Sequence, residues 1–477
     1  MTHGAWNNGL PMSDRAARRV PEPLIDLSVP RRCHVVGVGG PGMAPIAVVL
    51  AGRGHTVTGS DMRDSETLRH LRAAGVSVTV GHDASLVAGA DVVVHSTAVP
   101  DSNAELVAAR SAGIAVRHRS GILASLGALG PTVGVAGTHG KTTTSALLVR
   151  MLGAGGADPS AIIGGEFDGA PTGAIVGRGD HLVLECDESD GTLDVLSPRN
   201  LIVTNVDVDH LDYFGTFAEV KESFAAAARR AKGVVVMNHD DPSSRPILAA
   251  VPGAVRVGHK NGDVRIQEVA STDRGIVVLL AGLFGLREIP SRLRGNHNAM
   301  NLAMAFAMAC SLGVEPDDAI GAAETFFGVN RRFTPRGSHN GAILVDDYAH
   351  LPAEIAASVA TMRAHPDVTG RVVAVFQPNR FHRIAAMADS YADCFSDADL
   401  VVITDVYASG TARIEGVTGE LVVDAIRAAH PDADVEWAPR REDIVRIVDG
   451  YLRPGDGCIS MGCGDIETFP DDLGGDR

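Results

Sequence analysis

The spacing of apolar and polar residues predicts alternating strands and helices in the first third of the chain. Five short β-like runs predict strands at Cys33–Val36, Thr56–Asp61, Ser77–Val80, Asp91–His95 and Ile114–Val116. Stretches with helical periodicity lie between them, at Met43–Ala51, Ser65–Ala74 and Asn103–Ala112. This alternation predicts a parallel sheet with helices on both faces.

The same alternation restarts twice further along the chain. Gly130-Pro131 interrupts the first block, and the buried-strand run Thr132–Ala136 opens the second. Additional strands are predicted at Leu182–Glu185, Leu201–Thr204, Ala342–Asp346, Arg371–Phe376, Leu400–Thr404 and Asp456–Ser460. Residues 253–290 predict a small antiparallel insertion, and the Met-rich helix Asn298–Leu312 is interpreted as core filling.

We therefore predict an α/β protein of three consecutive domains. A flexible N-terminal tail covers residues 1–30, a Rossmann-like domain 31–130, a P-loop-type ATPase domain 131–332, and a second Rossmann-like domain 333–477. The 477 residues agree with this number, at about 100–200 residues per domain.

Charge and composition narrow the possible functions. The net charge of −16 argues against general nucleic-acid binding, because polyphosphate would be repelled over most of the surface. The longest apolar run, Gly275–Leu286, is about half the length of a bilayer-spanning helix, so we expect no membrane insertion. Six scattered cysteines without paired metal spacing indicate reduced thiols and a cytoplasmic protein.

A glycine-rich loop follows the predicted strand Thr132–Ala136 and precedes a predicted helix at Ser145–Met151. Its sequence is Gly137-Thr138-His139-Gly140-Lys141-Thr142-Thr143. Small residues let backbone N–H groups face an anion, and a helix N-terminus adds favourable dipole charge. We expect Lys141 to contact the β- and γ-phosphates of ATP and Thr142 to ligate Mg²⁺. Val135 stands where the common phosphate-loop pattern has glycine, so the match is to a shorter form.

Acidic residues follow two further strands of the same predicted sheet. The run Glu185-Cys186-Asp187-Glu188-Ser189-Asp190 carries four carboxylates, and Asp207, Asp209 and His210 follow the next strand. Such a run is often only a solvated loop. At strand ends beside a phosphate loop, however, its oxygens are ligands that Mg²⁺ prefers. Two cations there would screen the triphosphate during attack by a carboxylate oxygen.

The motif Gly37-x-Gly39-x-x-Gly42, with Asp61 about twenty residues later, has two interpretations. It is formally the dinucleotide fingerprint, which would predict an NAD-dependent oxidoreductase. Its geometry requires only a pyrophosphate at a helix N-terminus, which a UDP-linked sugar also carries. The oxidoreductase hypothesis leaves Lys141, Glu185 and His210 without a role.

Seven ordered motifs between residues 33 and 466 resemble the Mur ligases of peptidoglycan synthesis. They are Gly37–Met43, Gly137–Thr144, Glu185–Asp190, Thr204–His210, Gly295–Asn298, Arg331–Phe333 and Asp346–His350. The resemblance implies a UDP-sugar domain, a central ATPase domain and a C-terminal domain on the amino-acid side. It also implies an ATP-dependent ligase that joins L-alanine to the carboxylate of UDP-N-acetylmuramate through an acyl phosphate, as a monomer or homodimer.

The resemblance assigns roles to individual residues. It implies that ATP also meets Asn296, Arg332 and Asp347, and that Mg²⁺ is held by Thr142, Glu185 and His210. Lys141, Glu185, His210, His350 and Arg380 would be catalytic, the last two near the amino acid. The implied UDP-sugar contacts are Gly37, Gly39, Gly40, Gly42, Met43, Ser60, Asp61, Ser96 and Arg119.

Three departures from the family motifs are present, and the two in the domain on the amino-acid side leave the identity of the amine open. Leu351 and Asn379 replace imidazoles, and Gly121 stands where the family's R-R-A-E stretch has a carboxylate. The phosphate motifs are intact. A murein peptide ligase, which attaches a preformed peptide to the same sugar, is therefore an alternative, and a catalytically idle ATP- or UDP-sugar-binding regulator is another.

Overall fold

The computed structural model describes residues 19–474, and its first sheet has five parallel strands in the order β3-β2-β1-β4-β5. The strands are β1 (Arg32–Val36), β2 (Thr56–Asp61), β3 (Ser77–Val80), β4 (Val92–His95) and β5 (Ala115–His118). The helices are α1 (Ala44–Gly52), α2 (Glu66–Ala73), α3 (Ala104–Ser111) and α4 (Arg119–Gly127), with a 3₁₀ turn at Ala84–Val87. The strand order reverses between β1 and β4, and ligands bind open α/β sheets at such switch points.

The second sheet has ten strands in the order β15-β14-β13-β12-β11-β10-β6-β9-β7-β8. Its strands are β6 (Thr132–Ala136), β7 (Ser160–Ile162), β8 (Ala174–Ile175), β9 (Leu182–Glu185), β10 (Asn200–Val203), β11 (Val235–Asn238), β12 (Val255–Gly258), β13 (Val264–Thr272), β14 (Gly275–Gly282) and β15 (Arg287–Ser291). Strand β6 pairs in parallel with β9 and β10, so their carboxyl ends share one edge. That edge carries the phosphate loop and both acidic segments.

The helices of this block are α5 (Lys141–Ala154), α6 (Thr192–Val195), α7 (Leu211–Phe214), α8 (Phe217–Arg230), α9 (Arg245–Ala249), α10 (Asn296–Ser311) and α11 (Pro316–Thr325). Met300, Met304 and Met308 on α10 are all buried, which confirms the core-filling interpretation. The antiparallel prediction for 253–290 is wrong at its start, since β12 pairs in parallel with β11 and β13. The short apolar runs there extend the main sheet, and run length alone does not show strand direction.

The third sheet has the order β16-β17-β21-β18-β19-β20. Its strands are β16 (Thr334–His339), β17 (Ala342–Asp347), β18 (Val372–Phe376), β19 (Leu400–Ile403), β20 (Val435–Trp437) and β21 (Gly457–Met461). Its helices are α12 (Pro352–Arg363), α13 (Phe381–Met387), α14 (Glu420–Ala429), α15 (Arg441–Tyr451) and α16 (Phe469–Asp472), with 3₁₀ turns at Ala388–Tyr391 and Asp465–Thr468. Only β16 pairs antiparallel with its neighbour, so the remaining strands form a parallel, Rossmann-like sheet.

The chain separates into two compact units. The first comprises the described residues up to Glu268, together with 278–290 and 300–328. The second comprises 269–277, 291–299 and the described residues from Val329 onward. The first unit therefore holds the first sheet and most of the second, and the other unit holds the third sheet.

The segment before β1 differs from the predicted flexible tail. Residues 1–18 of that prediction lie outside the described residues. From Arg19 onward the chain packs on the first unit: Ile25 N–H donates to Ser125 Oγ at 3.0 Å, and the Leu27 side chain is buried in the core. Ile25 and Leu27 supply the apolar contacts. The prolines around them led to the prediction of a flexible tail. Within residues 19–474, no helix is both long and apolar enough to cross a bilayer.

Candidate active site

The phosphate loop is built from a buried strand, two left-handed glycines and the first turn of α5. Strand β6 is buried throughout, and α5 begins at Lys141, four residues before the predicted start. Gly137 has φ +140° and Gly140 has φ +80°. A Cβ on Gly140 would lie 2.4 Å from Asn301 Oδ1, and one on Gly137 would lie 1.9 Å from Thr204 Oγ1. Only glycine fits either position, and the resulting tight turn aims the helix N-terminus at the loop.

Two side chains that the sequence did not single out hold this loop in place. Asn205 Oδ1 accepts from His139 N–H at 2.8 Å, and Asn205 Nδ2 donates to the His139 carbonyl at 3.0 Å. Thr204 Oγ1 donates to the same carbonyl at 2.5 Å. The signal was present, because both residues belong to the quoted motif Thr204–His210. Thr142 and Thr143 are themselves buried on α5.

Lys141 is paired with a carboxylate of the acidic run. Its Nζ lies 2.9 Å from Glu188 Oε2 and 3.1 Å from Oε1, and it also donates to the Thr138 carbonyl at 3.2 Å. Burial opposes the lysine's charge, but the Glu188, Asp187 and Glu185 carboxylates outweigh it and raise the Lys141 pKa. Burial raises the Glu188 pKa, an effect that Lys141 and His210 oppose. The arrangement keeps a cation at the loop, where ATP phosphates would be bound.

The predicted magnesium residues divide into two neighbouring groups. Thr142 Oγ1 donates to Glu185 Oε1 at 3.2 Å, and Glu185 Oε2 accepts from Gly164 N–H at 2.8 Å. His210 Nε2 lies 3.0 Å from Asp209 Oδ2 and 3.9 Å from Glu188 Oε1. Burial opposes the His210 charge, but Asp209 and Glu188 raise the pKa of its imidazole.

The group formed by Thr142 and Glu185 fits Mg²⁺ bound together with a nucleotide. Across residues 19–474, no cluster of three or more His, Cys, Asp or Glu side chains is arranged to hold a metal. Mg²⁺ is usually bound by one or two protein oxygens, with phosphates and water completing an octahedron. The adjacent Thr142 hydroxyl and Glu185 carboxylate are such hard oxygen donors.

The predicted UDP-sugar residues gather at the carboxyl ends of the first sheet. Gly39 N–H donates to Asp61 Oδ2 at 2.9 Å, and Gly40 N–H donates to the Gly37 carbonyl at 3.1 Å. Ser60 Oγ donates to the buried Glu105 at 2.7 Å, and His95 Nδ1 lies 3.1 Å from the Ser96 carbonyl oxygen. The Met43 side chain is buried in the hydrophobic core, where it packs beneath the glycine loop.

Arg119 connects this loop with the acidic run. Its Nη2 donates to Asp187 Oδ2 at 2.9 Å and its Nε to Asp190 Oδ2 at 2.5 Å. A Cβ on Gly42 would lie 2.2 Å from Arg119 Nη1, so the guanidinium lies directly over that glycine. Burial raises the Asp187 pKa, but Arg119 and Lys141 outweigh it, and the pKa is well below the usual value for aspartate.

A small cleft lies between the two loops. Its lining includes Pro41, Gly42, Arg119, Gly164, Glu185 and Asp187. The glycine loop of the first sheet and the predicted metal ligands of the second therefore face one space inside one compact unit.

The remaining predicted ATP residues belong to the second unit. Asn296 lines a cavity together with Gly295, His297, Thr361 and His365. Burial lowers the His297 pKa to about 4, so this imidazole is neutral at pH 7.

Asp347 and Arg332 lie at the start of the third domain. Asp347 accepts hydrogen bonds from Phe333 N–H at 2.8 Å and Ala349 N–H at 2.7 Å. Burial raises the Asp347 pKa to about 6, although Arg332 opposes the shift. The Arg332 guanidinium lies 5.3 Å from the centre of the Tyr348 ring and 3.9 Å from Glu354 Oε1.

His350 has an acidic and a sulfur neighbour. Its Nδ1 lies 3.0 Å from the Tyr348 carbonyl oxygen and 3.3 Å from Glu354 Oε2, and Cys463 is its sulfur neighbour. Burial lowers the His350 pKa, but Cys463 and Glu354 outweigh it and raise the pKa overall.

Arg380 immediately precedes α13 and has φ +62°, and its backbone N–H donates to the Tyr407 carbonyl at 2.9 Å. Both replaced imidazole positions nearby are buried: Leu351 precedes α12, and Asn379 Oδ1 accepts from Arg383 Nη1 at 2.8 Å. Asn379 therefore orients a buried cation in this domain.

A buried strand, a two-glycine loop and a helix that begins at a lysine define a phosphate-loop nucleotide-binding protein. Three family models match successive parts of the chain: Mur ligase family, catalytic domain, at residues 32–129; Mur ligase middle domain at 135–309; and Mur ligase, glutamate ligase domain, at 331–464. The chain belongs to the Mur ligase family and has its three-domain α/β architecture.

Similar proteins extend over nearly the whole chain. A UDP-N-acetylmuramate--L-alanine ligase of Rubrobacter xylanophilus is 40% identical over 93% of this chain and 99% of its own length. The crystal structure of a UDP-N-acetylmuramate-alanine ligase from Thermotoga maritima matches with a TM-score of 0.76 and 26% identity, over 93% of this chain and 98% of that one. A murein peptide ligase from Psychrobacter arcticus shares the fold, with a TM-score of 0.67 and 22% identity over 93% and 98% of the two chains.

Proposed function

We propose that this protein uses ATP to join L-alanine to the carboxylate of UDP-N-acetylmuramate, in the cytoplasmic synthesis of peptidoglycan precursors. The observation that carries the proposal is the cleft shared by Gly42, Arg119, Glu185 and Asp187. A sugar nucleotide on the glycine loop would present its carboxylate toward the phosphate loop. The 40% identity to a relative with this named activity supports the same substrates.

The proposed reaction has two steps. An oxygen of the muramate carboxylate attacks the γ-phosphorus of ATP, and ADP leaves with the electron pair of the broken P–O bond. The alanine amine then attacks the acyl phosphate carbon, loses a proton, and inorganic phosphate departs. Both steps require exclusion of water, because water would compete with the carboxylate for the γ-phosphorus in the first step and with the amine for the acyl phosphate in the second.

Each predicted residue has a part in this proposal. Lys141 and the N–H groups of Gly137–Thr143 bind the phosphates, and Asn296, Arg332 and Asp347 contact the rest of ATP. Thr142 and Glu185 would hold one Mg²⁺ and His210 a second. Mg²⁺ bound there would supply positive charge to offset that of the triphosphate. His350 and Arg380 serve the amino-acid side, and the Gly37–Met43 loop, Ser60, Asp61, Ser96 and Arg119 bind the UDP-sugar.

A second candidate amine is a peptide. The buried Leu351 and Asn379 replace imidazoles on the proposed amine side, and the fold is shared with a murein peptide ligase. The 40% identity to a named alanine ligase over 93% of the chain favours the single amino acid.

The test is phosphate release with ATP, Mg²⁺, UDP-N-acetylmuramate and L-alanine, with each component omitted in turn. We expect release only in the complete mixture, together with a product heavier than the sugar nucleotide by one alanyl residue. Release without the sugar nucleotide, or no release in any mixture, would overturn the proposal. If no mixture releases phosphate but the protein still binds the sugar nucleotide, a catalytically idle binding protein is favoured.

A further inference from the structure

The segment Arg19–Leu27, here termed the strap, runs from the acidic run to helix α4. At one end, Arg19 Nε donates to the Asp190 carbonyl at 3.0 Å, and Arg19 N–H donates to Tyr213 Oη at 2.9 Å. Arg19 Nη2 donates to Thr97 Oγ1 at 3.2 Å. The Arg19 side chain therefore touches both the segment after β4 and the acidic run, the two borders of the proposed sugar-nucleotide site.

The other end of the strap is fixed to the first domain. Arg117 Nε donates to the Pro23 carbonyl at 3.3 Å, and Ile25 N–H donates to Ser125 Oγ at 3.0 Å. The buried Leu27 packs in the core. These contacts hold the segment against α4 independently of Arg19.

Glu22 occupies the place opened by a sequence departure. A Cβ on Gly121 would lie 2.3 Å from Glu22 Oε2, so the carboxylate rests against the first turn of α4. Glu22 Oε2 is buried there and has no hydrogen-bond partner among the described residues. The strap therefore packs tightly against α4 beside Gly121.

The two arginines at this site differ in their partners. Arg119 is paired with two carboxylates, Asp187 and Asp190. Arg19 forms side-chain hydrogen bonds only to neutral oxygens, the Asp190 carbonyl and the Thr97 hydroxyl, within residues 19–474. Its guanidinium is consequently oriented by the protein and forms no ion pair with a carboxylate of those residues.

We propose that Arg19 is a further substrate-binding residue, whose guanidinium binds an anionic group of the sugar nucleotide. Thr97 follows the predicted contact Ser96, and Asp190 is held by Arg119, so the guanidinium lies among residues already proposed for this substrate. The inference rests on the proposed function and adds to it a residue from the segment predicted to be a loose tail. The anionic group is either the diphosphate or the muramate carboxylate.

Calorimetric binding with the full chain tests the proposal, using UDP-N-acetylmuramate, UDP-N-acetylglucosamine and ATP with Mg²⁺ as separate ligands. Arg19→Ala should weaken UDP-N-acetylmuramate binding by about 10-fold, the usual cost of a charge-assisted hydrogen bond. Arg19→Lys, which keeps the positive charge, should weaken UDP-N-acetylmuramate binding less than Arg19→Ala does. ATP binding should stay within about twofold, and Arg69→Ala, a matched change at an exposed arginine on α2, should alter neither ligand.

The two sugar nucleotides identify the group that Arg19 binds. Equal weakening for both would place the diphosphate at Arg19, and weakening for UDP-N-acetylmuramate alone would place the carboxylate there. Unchanged binding in Arg19→Ala, or equal weakening of ATP and sugar nucleotide through general loosening, would overturn the proposal. If the unmodified protein binds ATP but no UDP-N-acetylmuramate, the proposed function itself fails. If the unmodified protein binds its substrates and turns them over, and Arg19→Ala does both equally well, only the role of Arg19 is rejected.

Discussion

Lys141 Nζ lies 2.9 Å from Glu188 Oε2, so the lysine of the phosphate loop is ion-paired with the acidic run that follows β9. Lys141 is 13% exposed and Glu188 only 2%. A pair this deeply buried is sensitive to loss of either partner. ATP phosphates would compete with Glu188 for the same ammonium group, which links nucleotide binding to the position of the acidic run.

Replacing Lys141 tests the phosphate-loop assignment. We expect Lys141→Ala to lower the rate of ADP formation by at least about 100-fold, because a charge aimed at the transferred phosphoryl group is lost. ADP formation with all three substrates measures the effect. Lys260→Ala removes the same charge from an exposed turn and should retain the full rate. Comparable rates for the two variants would mean that Lys141 does not contact the reacting phosphates.

Removing Glu188 should destabilise the first unit. Glu188→Ala leaves the Lys141 ammonium without its carboxylate, at a cost of about 3 kcal/mol. The melting temperature should fall by about 5 °C or more, measured by differential scanning fluorimetry. Glu222→Ala, at a carboxylate that is 66% exposed, should shift it by less than about 1 °C. An unchanged melting temperature in Glu188→Ala would show that the ion pair does not contribute to folding.

The sequence predicted the strands near the site well and the contacts between them poorly. Strands β2, β3, β6 and β9 match the predicted bounds, because each is a short β-like or apolar run before polar residues. The pairing of Lys141 with Glu188 depends on β6 and β9 being neighbours in the sheet. Spacing along the chain contains no such information.

The start of α5 and the strap show two other limits. Periodicity placed the helix at Ser145, but its first turn is fixed by the left-handed Gly140 and starts at Lys141. The strap was predicted as a loose tail because its order comes from Ser125, Arg117 and Tyr213, which lie far away in the sequence. Tertiary contacts of this kind override local composition. The ligand roles of the predicted site residues stay predictions.

Asp347 should give the second unit a characteristic pH dependence. Burial raises its pKa from 3.8 to about 6, so the folded state favours the protonated acid. This contribution to stability is complete below about pH 4 and is lost as pH rises through about 6, with a total of about 3 kcal/mol for two pKa units.

Thermal melting from pH 4 to pH 7 measures this effect. Asp347→Asn should not lose this stability as the pH rises. Its melting temperature relative to that of the unmodified protein should therefore increase with pH. Hydrogen bonds of the introduced asparagine that differ from those of Asp347 do not depend on pH. The slope of the melting-temperature difference against pH therefore reports the titration of the Asp347 carboxyl alone. Asp432→Asn, on an exposed turn, should run parallel to the unmodified protein. A parallel curve for Asp347→Asn would contradict the buried-acid interpretation.

Cys463 should be the most reactive thiol. Burial raises the pKa of Cys33, Cys186, Cys310 and Cys458 to about 12. Burial also opposes the Cys463 thiolate, but His350 outweighs it and lowers that pKa. We expect iodoacetamide at pH 7 to label Cys463 first, since the thiolate is the nucleophile.

Peptide mass spectrometry over time measures the labelling. His350→Ala should slow labelling of Cys463 by about 10-fold, because the thiol loses the imidazole that lowers its pKa and less thiolate is present at pH 7. His430→Ala, at a histidine paired with Asp393 at an exposed position, should leave the rate unchanged. Faster labelling of Cys310, which is partly exposed like Cys463, would contradict the prediction.

The identity of the amine is the most direct test of the proposed function. ATP, Mg²⁺ and UDP-N-acetylmuramate would be incubated with equal concentrations of L-alanine, glycine, L-serine and the tripeptide L-alanyl-γ-D-glutamyl-meso-diaminopimelate, and the products separated by mass spectrometry. The proposed function predicts the L-alanyl adduct as the main product, with ADP formed in equal amount. A main product carrying the tripeptide would contradict it and favour the murein peptide ligase alternative.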